Sequence, residues 1–196
     1  MEESDGRLRV KRLELVPIGA VSSQLLDFLR LHLSRAFRAE CIVLPAQPEP
    51  GYAFNAERQQ YCSTEILSRV PRMAASSAWR VLALTCLDLY IPILTFVFGE
   101  AQLDGSCAVV SAHRLRQEMY GLPPDQMLLR ERLLKEAVHE LGHTFGLTHC
   151  AERTCVMASS HSVERIDLKT AEFCPACLLA VLGQPGSSPV ESHFDL

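Results

Sequence analysis

The sequence has few of the features that direct a chain to membranes or nucleic acid. Its 19 basic and 23 acidic side chains give a net charge of −4, so no excess of positive charge attracts DNA, RNA or anionic lipid. No apolar run follows the first residues, MEESD, so we expect no secretory signal. The apolar stretch at residues 81–98 is interrupted by Asp88 and Pro92, which favours two core strands over a transmembrane helix. We expect a cytoplasmic protein without membrane or nucleic-acid partners.

Internal repeats are also absent, and no pro-segment is expected before the first predicted strand. The 196 residues suffice for one domain with its own core. We predict a single domain over residues 1–182, divided into an N-terminal subdomain at 8–145 and a C-terminal subdomain at 146–182. Residues 183–196 are predicted to form a flexible tail.

Short apolar runs alternate with helical periodicity in the first part of the chain. Residues 13–18, 40–44 and 80–87 suit strands, and Ser22 or Ser23 is placed to cap a helix. The apolar face of that helix is formed by Leu25, Leu26, Leu29, Leu33 and Phe37. Strands that alternate with helices imply a parallel sheet.

The pattern changes after the third predicted strand. Residues 93–102 and 106–113 are strand-like and are joined through Asp104-Gly105, which indicates a hairpin and therefore one antiparallel strand at the sheet edge. Earlier in the chain, Asn55 is predicted to cap a helix that runs to about Val70.

The longest predicted helix begins near Asp125, and residues 146–182 are predicted to be loop-rich. The helix carries apolar side chains at four-residue intervals, namely Leu129, Leu133, Ala137, Leu141 and Phe145. These elements predict an α/β (α+β) fold: a mixed, mostly parallel twisted sheet with one antiparallel edge strand, a helix that carries the active site and a small C-terminal subdomain.

The end of this helix has the pattern of a metal site. His139 and His143 are four residues apart, so their rings leave the same face of the helix one turn apart and are able to bind one ion. Glu140 lies one step round the helix, where its carboxylate reaches a metal-bound water without being a ligand. Catalytic zinc usually has three protein ligands and one open position. His149 supplies the third ligand if Gly146 ends the helix sharply in a left-handed conformation.

A second cluster consists of Cys150, Cys155, Cys174 and Cys177, at a spacing that suits a closed, tetrahedral structural zinc. Two disulfides or four free thiols are the alternative, which a reducing compartment disfavours. The stretch between the first and the last of these cysteines has three basic and four acidic side chains, so it is no basic patch. The other cysteines are interpreted as free thiols, at Cys41, Cys62, Cys86 and Cys107.

The sequence also resembles a known family. The run HELGHTFGLTHC at residues 139–150, followed by Cys155-Val156-Met157 and Cys174-Pro175-Ala176-Cys177, is similar to the archaemetzincins of the metzincin clan of metallopeptidases. FVFGEA at residues 96–101 and RQQY at residues 58–61 extend the similarity over most of the chain. The resemblance implies a zincin-like catalytic domain with two zinc ions, one catalytic and one structural.

The resemblance also implies roles for individual residues. It implies His139, His143 and His149 as catalytic zinc ligands, Glu140 as the general base, and the four clustered cysteines as ligands of the second zinc. Met157 matches the methionine of the Met-turn beneath the catalytic metal. Some metzincins have a tyrosine two residues after this methionine, where this chain has Ser159. The candidates for a second group that stabilises the oxyanion are His161, Tyr90 and Tyr120.

These observations predict a zinc-dependent peptidase that acts as a monomer on peptide or protein substrates. The substrate is expected to lie antiparallel to the edge strand around residues 96–103. An alternative is a zincin-fold module that binds peptides with little or no proteolysis. Retention of Glu140 favours the enzyme, since a binding site needs no carboxylate beside the water.

Overall fold

The computed structural model describes residues 11–183, and eight strands and five helices can be followed along them. The strands are β1 (Arg12–Ile18), β2 (Glu40–Val43), β3 (Phe54–Asn55), β4 (Gln60–Cys62), β5 (Arg80–Thr85), β6 (Leu89–Tyr90), β7 (Gly99–Ala101) and β8 (Cys107–Ser111). The α-helices are α1 (Ser23–Phe37), α2 (Ser63–Leu67), α3 (Gln126–His143), α4 (Val163–Leu168) and α5 (Pro175–Leu182), and short 3₁₀ turns lie at Gly51–Ala53, Val70–Arg72 and Gln117–Tyr120. The predicted tail lies outside the described residues, apart from its first residue.

The central sheet has five strands in the order β2-β1-β5-β8-β7. The first four are parallel, and β7 lies antiparallel to β8 at the edge, where Gly99 pairs with Val110 and Ala101 with Ala108. The turn between β7 and β8 contains Asp104, which has a positive φ of 53°. The predicted fold class, a mixed and mostly parallel sheet with one antiparallel edge strand, is confirmed. A second, small sheet has the order β3-β4-β6.

Apolar side chains cover both faces of the central sheet. Successive residues of a strand point to opposite faces, so Leu13 and Leu15 pack in the cluster with α1 and α3, while Val16 belongs to a smaller cluster with Ile66 of α2. This arrangement places α3 directly against the strands, and its last turn lies beside β7.

Both long helices begin at a capping side chain. The hydroxyl of Ser22 accepts a hydrogen bond from the backbone N–H of Leu25 at the start of α1. The carboxylate of Asp125 accepts from the N–H groups of Met127 and Leu128, both at 2.9 Å. These contacts satisfy N–H groups that have no partner inside the helix. The predicted starts of both helices are therefore confirmed.

The prediction of a helix from Asn55 to Val70 is wrong. The side chain of Asn55 does accept from the N–H groups of Glu57 and Arg58, as a helix cap would, but those bonds close a turn between β3 and β4. The following helix, α2, is only five residues long. A capping residue satisfies the N–H groups of a tight turn as well as those of a helix, so the local signal alone was ambiguous.

The predicted strand at residues 93–102 is also wrong over most of its length, since only Gly99–Ala101 is a strand. The chain before it forms a loop in which Ile93 is 86% exposed. The stretch at 81–98 does contain two core strands, namely β5 and the two-residue β6, whose residues Leu89 and Tyr90 are buried. The loop-rich segment at 146–182 includes the short helices α4 and α5. Within residues 11–183, no helix combines the length and apolar character needed to span a bilayer.

Candidate active site

The last turn of α3 contains two histidines, and a hydrogen bond to a backbone carbonyl fixes the orientation of each ring. Nδ1 of His139 donates to the carbonyl oxygen of Val156 at 2.8 Å, and Nδ1 of His143 donates to that of Leu147 at 2.7 Å. A carbonyl oxygen only accepts, so the proton of each neutral ring lies on Nδ1 and the lone pair on Nε2. The two Nε2 atoms face each other at 3.1 Å.

Two lone pairs at that distance repel each other unless a cation lies between them. Two nitrogens bound at 2.0–2.1 Å to one tetrahedral zinc are about 3.3 Å apart, which is close to the spacing here. Burial lowers the pKa of His139 to about 2, with a further contribution from the nearby Lys169 ammonium. Burial also lowers the pKa of His143. Both rings are therefore neutral, the form that binds metal, and the donor set fits zinc.

His149 is brought to the same place by a reversal of the chain. Gly146 has a φ of +80°, and its N–H donates to the carbonyl of His143 at 3.0 Å, which ends α3. The ring of His149 then lies 5.4 Å from that of His139 and 5.3 Å from that of His143, measured between centroids. The ligand atoms of the three histidines all lie within 4.8 Å of one another. The structure thus brings the three predicted ligands together.

Glu140 is buried against the edge strand, with 7% of its surface exposed. A Cβ on Gly99 would lie 2.6 Å from Cγ of Glu140 and 2.6 Å from the carbonyl oxygen of Val109, so only glycine leaves room for this carboxylate. Burial raises the pKa of Glu140 well above its ordinary value, and the neighbouring carboxylate of Glu136 raises it further. These two effects favour the protonated carboxyl group, whereas a cation held by the histidines favours the carboxylate.

Met157 packs against a second glycine, in the last turn of α3. A Cβ on Gly142 would overlap the Met157 sulfur and lie 3.1 Å from the ring of Phe173. The backbone at Met157 is tied to the ligand segment, because the N–H of Cys150 donates to the carbonyl of Met157 at 2.9 Å. The turn that contains Met157 therefore supports His139, through Val156, and the chain next to His149.

The four clustered cysteines also lie together, and all are free thiols. Sγ of Cys150 is 3.9 Å from Sγ of Cys174, far beyond a disulfide bond and close to the separation of about 3.8 Å expected for two sulfurs bound to one zinc. Sγ of Cys155 accepts from the N–H groups of Met157 and Cys174 at 3.4 and 3.3 Å. The pKa of Cys174 is lowered to about 7, and the largest cause is a hydrogen bond from the backbone N–H of Cys177. The side chain of Cys177 lowers it further. The donor set fits a thiolate-bound zinc.

Of the other predicted candidates, His161 lies close enough to His149 to add to the effect of burial, which lowers the pKa of that ring. The hydroxyl of Tyr120 donates to the carbonyl of Arg114, and the ring of Tyr90 is covered by Arg58. His161 is exposed and lies 3.3 Å from the hydroxyl of Ser159. The four scattered cysteines are free, as predicted.

Sequence reasoning missed a buried charge pair behind His139, formed by Lys169 and Glu136. It also missed the tight contacts at Gly99 and Gly142. One signal was available: Glu136 lies one turn before Glu140 on the same face, and a charged side chain on the buried face of a helix needs a partner of opposite charge.

Comparison with known proteins agrees with this geometry. Residues 26–182 match the model of peptidase family M54. The archaemetzincin of Methanocaldococcus jannaschii is 43% identical over 169 residues, which cover 86% of this chain and 92% of that protein. The crystal structure of archaemetzincin from Methanopyrus kandleri superposes with a TM-score of 0.77 at 38% identity, covering 89% of this chain and 95% of that one.

A third similar protein is a zinc-dependent peptidase. The crystal structure of a zinc-dependent peptidase from Methanocorpusculum labreanum has a TM-score of 0.77 at 28% identity, and the match covers 86% of this chain and 99% of that one. Three histidines with a buried carboxylate, on a fold shared with these proteins, place the chain in peptidase family M54 as a zinc metallopeptidase.

Proposed function

We propose that the chain hydrolyses peptide bonds at a zinc ion held by His139, His143 and His149, with Glu140 as the general base. The observation that carries this proposal is the pair of Nε2 lone pairs that face each other at 3.1 Å with their Nδ1 protons committed to carbonyl oxygens. That arrangement needs a cation, and three neutral imidazoles leave one position of a tetrahedral ion for water or substrate.

Zinc at this position supplies Lewis-acid chemistry, lowering the pKa of a water molecule toward about 7 and polarising the scissile carbonyl. Glu140 takes the proton of the attacking water and delivers it to the leaving amine nitrogen. Burial favours the protonated carboxyl group, so Glu140 retains the proton between these two steps.

The substrate is a peptide that lies along the outer edge of β7. This strand pairs with β8 on one side, and within residues 11–183 no strand pairs with its other side. A peptide that adds antiparallel there gains main-chain hydrogen bonds. Because Gly99 contacts Glu140, the bound peptide passes beside the general base.

The four cysteines hold a second zinc with a structural role, so that the chain binds two ions. The metal fixes Cys150, and with it the adjacent His149, and it staples the C-terminal subdomain at 146–182 to the rest of the domain. Thiolate ligands must be kept reduced, which fits a cytoplasmic location. Both sites are complete within one chain, so we propose that the enzyme acts as a monomer.

Metal analysis combined with a peptide-library assay tests this function. We expect two zinc ions per chain, one zinc ion in His143→Ala, and cleavage of library peptides that a chelator abolishes. An unchanged zinc content in His143→Ala would refute the histidine site. Normal zinc content with no cleavage of any library peptide would refute the peptidase function and would favour the alternative, a module that binds peptides.

A further inference from the structure

A charge pair lies buried directly behind the histidine cluster. The side chains of Lys169 and Glu136 are 1% and 4% exposed, and Nζ lies 2.9 Å from Oε1. Burying two charges costs several kcal/mol per ion before their attraction offsets it. Hydrophobic residues would fill the same space without that cost, so the pair calls for an explanation beyond packing.

The ammonium group of Lys169 contacts three parts of the site at once. Besides Glu136 on α3, it donates to the carbonyl oxygen of Ala158 at 3.3 Å, and it lies 3.4 Å from Nδ1 of His139. Ala158 follows Met157 directly, so Lys169 bridges α3 and the turn that contains Met157. Its ammonium also lies beside the same ring nitrogen of His139 that donates to Val156.

A lysine at this position is unusual for this chain. Only three of the 19 basic residues are lysines, and Lys169 is the only one of those three that is buried. A guanidinium has five N–H donors in a rigid plane, whereas an ammonium is compact and has three. The compact ammonium of Lys169 lies near the carboxylate of Glu136, the carbonyl of Ala158 and Nδ1 of His139 at the same time.

A second ion pair lies one helical turn earlier. Nε and Nη2 of Arg132 donate to the carboxylate of Asp167 at 2.8 and 2.6 Å. Asp167 and Lys169 are two residues apart, so the same segment is tied to α3 twice. The side chain of Asp167 is 36% exposed, and neither partner of this pair contacts a histidine of the cluster. It therefore provides a matched control.

We propose that Lys169, held by Glu136, is a positioning residue that fixes the ring of His139 and the Met157 turn in the geometry that binds the catalytic metal. This proposal rests on the proposed function, because it requires His139 to be a metal ligand. Groups that hold a ligating histidine from behind are typically worth about 10–100-fold in metal affinity.

The test compares two double variants in the full-length protein, loaded with zinc or with Co²⁺. Glu136→Gln/Lys169→Met removes the pair behind His139, and Arg132→Met/Asp167→Asn removes the control pair. Each double variant removes one positive and one negative charge together, so no buried charge is left unpaired and the net charge is unchanged. The affinity of the histidine site is measured by competition with a chelator, and Co²⁺ absorption distinguishes a site with nitrogen ligands from a thiolate site.

For Glu136→Gln/Lys169→Met we expect zinc binding at the histidine site to weaken about tenfold or more. We also expect an altered Co²⁺ spectrum at that site, with an unchanged thiolate spectrum at the cysteine site. The control should change neither spectrum. A loss of less than about fivefold, or an equal loss in the control, would overturn the proposal.

If the double variant does not fold, the unaltered protein provides the test. With only three lysines, NMR of the zinc-loaded, lysine-labelled chain should show magnetisation transfer between the Lys169 ammonium and the Nδ1 proton of His139, and its absence refutes the proposal. Failure of the wild-type histidine site to bind metal would instead refute the proposed function, so the two failures are distinguishable.

Discussion

The two ligand clusters of this protein differ in what surrounds their donor atoms. The histidine cluster has three donors, a buried carboxylate at Glu140 and an edge strand alongside. The cysteine cluster has four donors, and the groups around its sulfurs are backbone N–H groups that stabilise thiolates. Four ligands fill a tetrahedral ion, whereas three leave it one reactive position. This difference supports the proposal that the first cluster carries the chemistry and the second stabilises the fold.

The clusters also differ in what orders them. His139 and His143 lie on an 18-residue helix packed on the main core, so their spacing exists before any metal binds. Cys150 and Cys155 lie on loops, and Cys174 and Cys177 lie at the start of the eight-residue helix α5. A segment with so little regular structure depends more on its metal for order.

Replacing Glu140 with Gln gives the largest expected effect on activity. The amide keeps the shape of the side chain but takes no proton, and general-base catalysis typically contributes about 10²–10⁴ in rate. We expect kcat to fall by at least about 100-fold while zinc content stays at two per chain. Steady-state peptide hydrolysis and metal analysis measure the two quantities. Near-normal turnover in this variant would show that Glu140 is not the general base, and the histidine cluster would then lose the feature that distinguishes it chemically from the cysteine cluster.

Removing one cysteine ligand tests whether metal binding at the histidine cluster is independent of the cysteine cluster. Cys174 lies far from His149 in sequence, so Cys174→Ser acts on the histidine site through the structural metal and the bond from Cys150 to Met157. We expect loss of one zinc and roughly tenfold weaker binding of the other. Cys86→Ser, which removes a thiol outside the cluster, is the control. Unchanged affinity at the histidine site would show that the cysteine metal is not needed to hold His149.

A methyl group at Gly99 tests the contact between the edge strand and the general base. The new Cβ would lie 2.6 Å from Cγ of Glu140, so either the carboxylate or β7 must shift. We expect Gly99→Ala to lower kcat about tenfold or more and stability by about 1–3 kcal/mol, with zinc retained. Gly51→Ala, where a Cβ meets nothing within 4 Å, should leave both unchanged. Equal turnover in the two variants would disprove the tight packing of Glu140.

The candidate metal ligands could be predicted from the sequence because their arrangement depends on residues that are close together in the chain. Positions 139 and 143 share a helix face at any location in a protein, and the left-handed turn at Gly146 follows from its residue type. The strands β1, β5 and β8 were predictable for a similar reason, since buried parallel strands appear as continuous apolar runs.

Features that depend on distant partners were not predictable from the sequence. The pairing of Lys169 with Glu136 joins residues 33 positions apart. The loop at Ile93 is apolar in sequence but is held at the surface by bonds from Arg58 to the carbonyls of Leu94 and Thr95. Tertiary contacts of this kind override local propensity. The subdomain division at residue 146 stays a prediction.

Removing the capping side chain of α3 gives the smallest expected effect. It tests whether the stability of the helix can change without a change in activity or zinc binding. Asp125 lies 18 residues before His143, about 27 Å along the helix. Loss of a capping side chain costs about 1 kcal/mol, so urea unfolding of zinc-loaded Asp125→Ala should show that loss. We expect kcat and zinc affinity to stay unchanged, because the last turn is fixed independently by Val156, Leu147 and the core. Ser22→Ala, which uncaps α1, is the matched control and should behave alike. A fall in zinc affinity confined to Asp125→Ala would mean that the histidine cluster depends on the whole length of its helix.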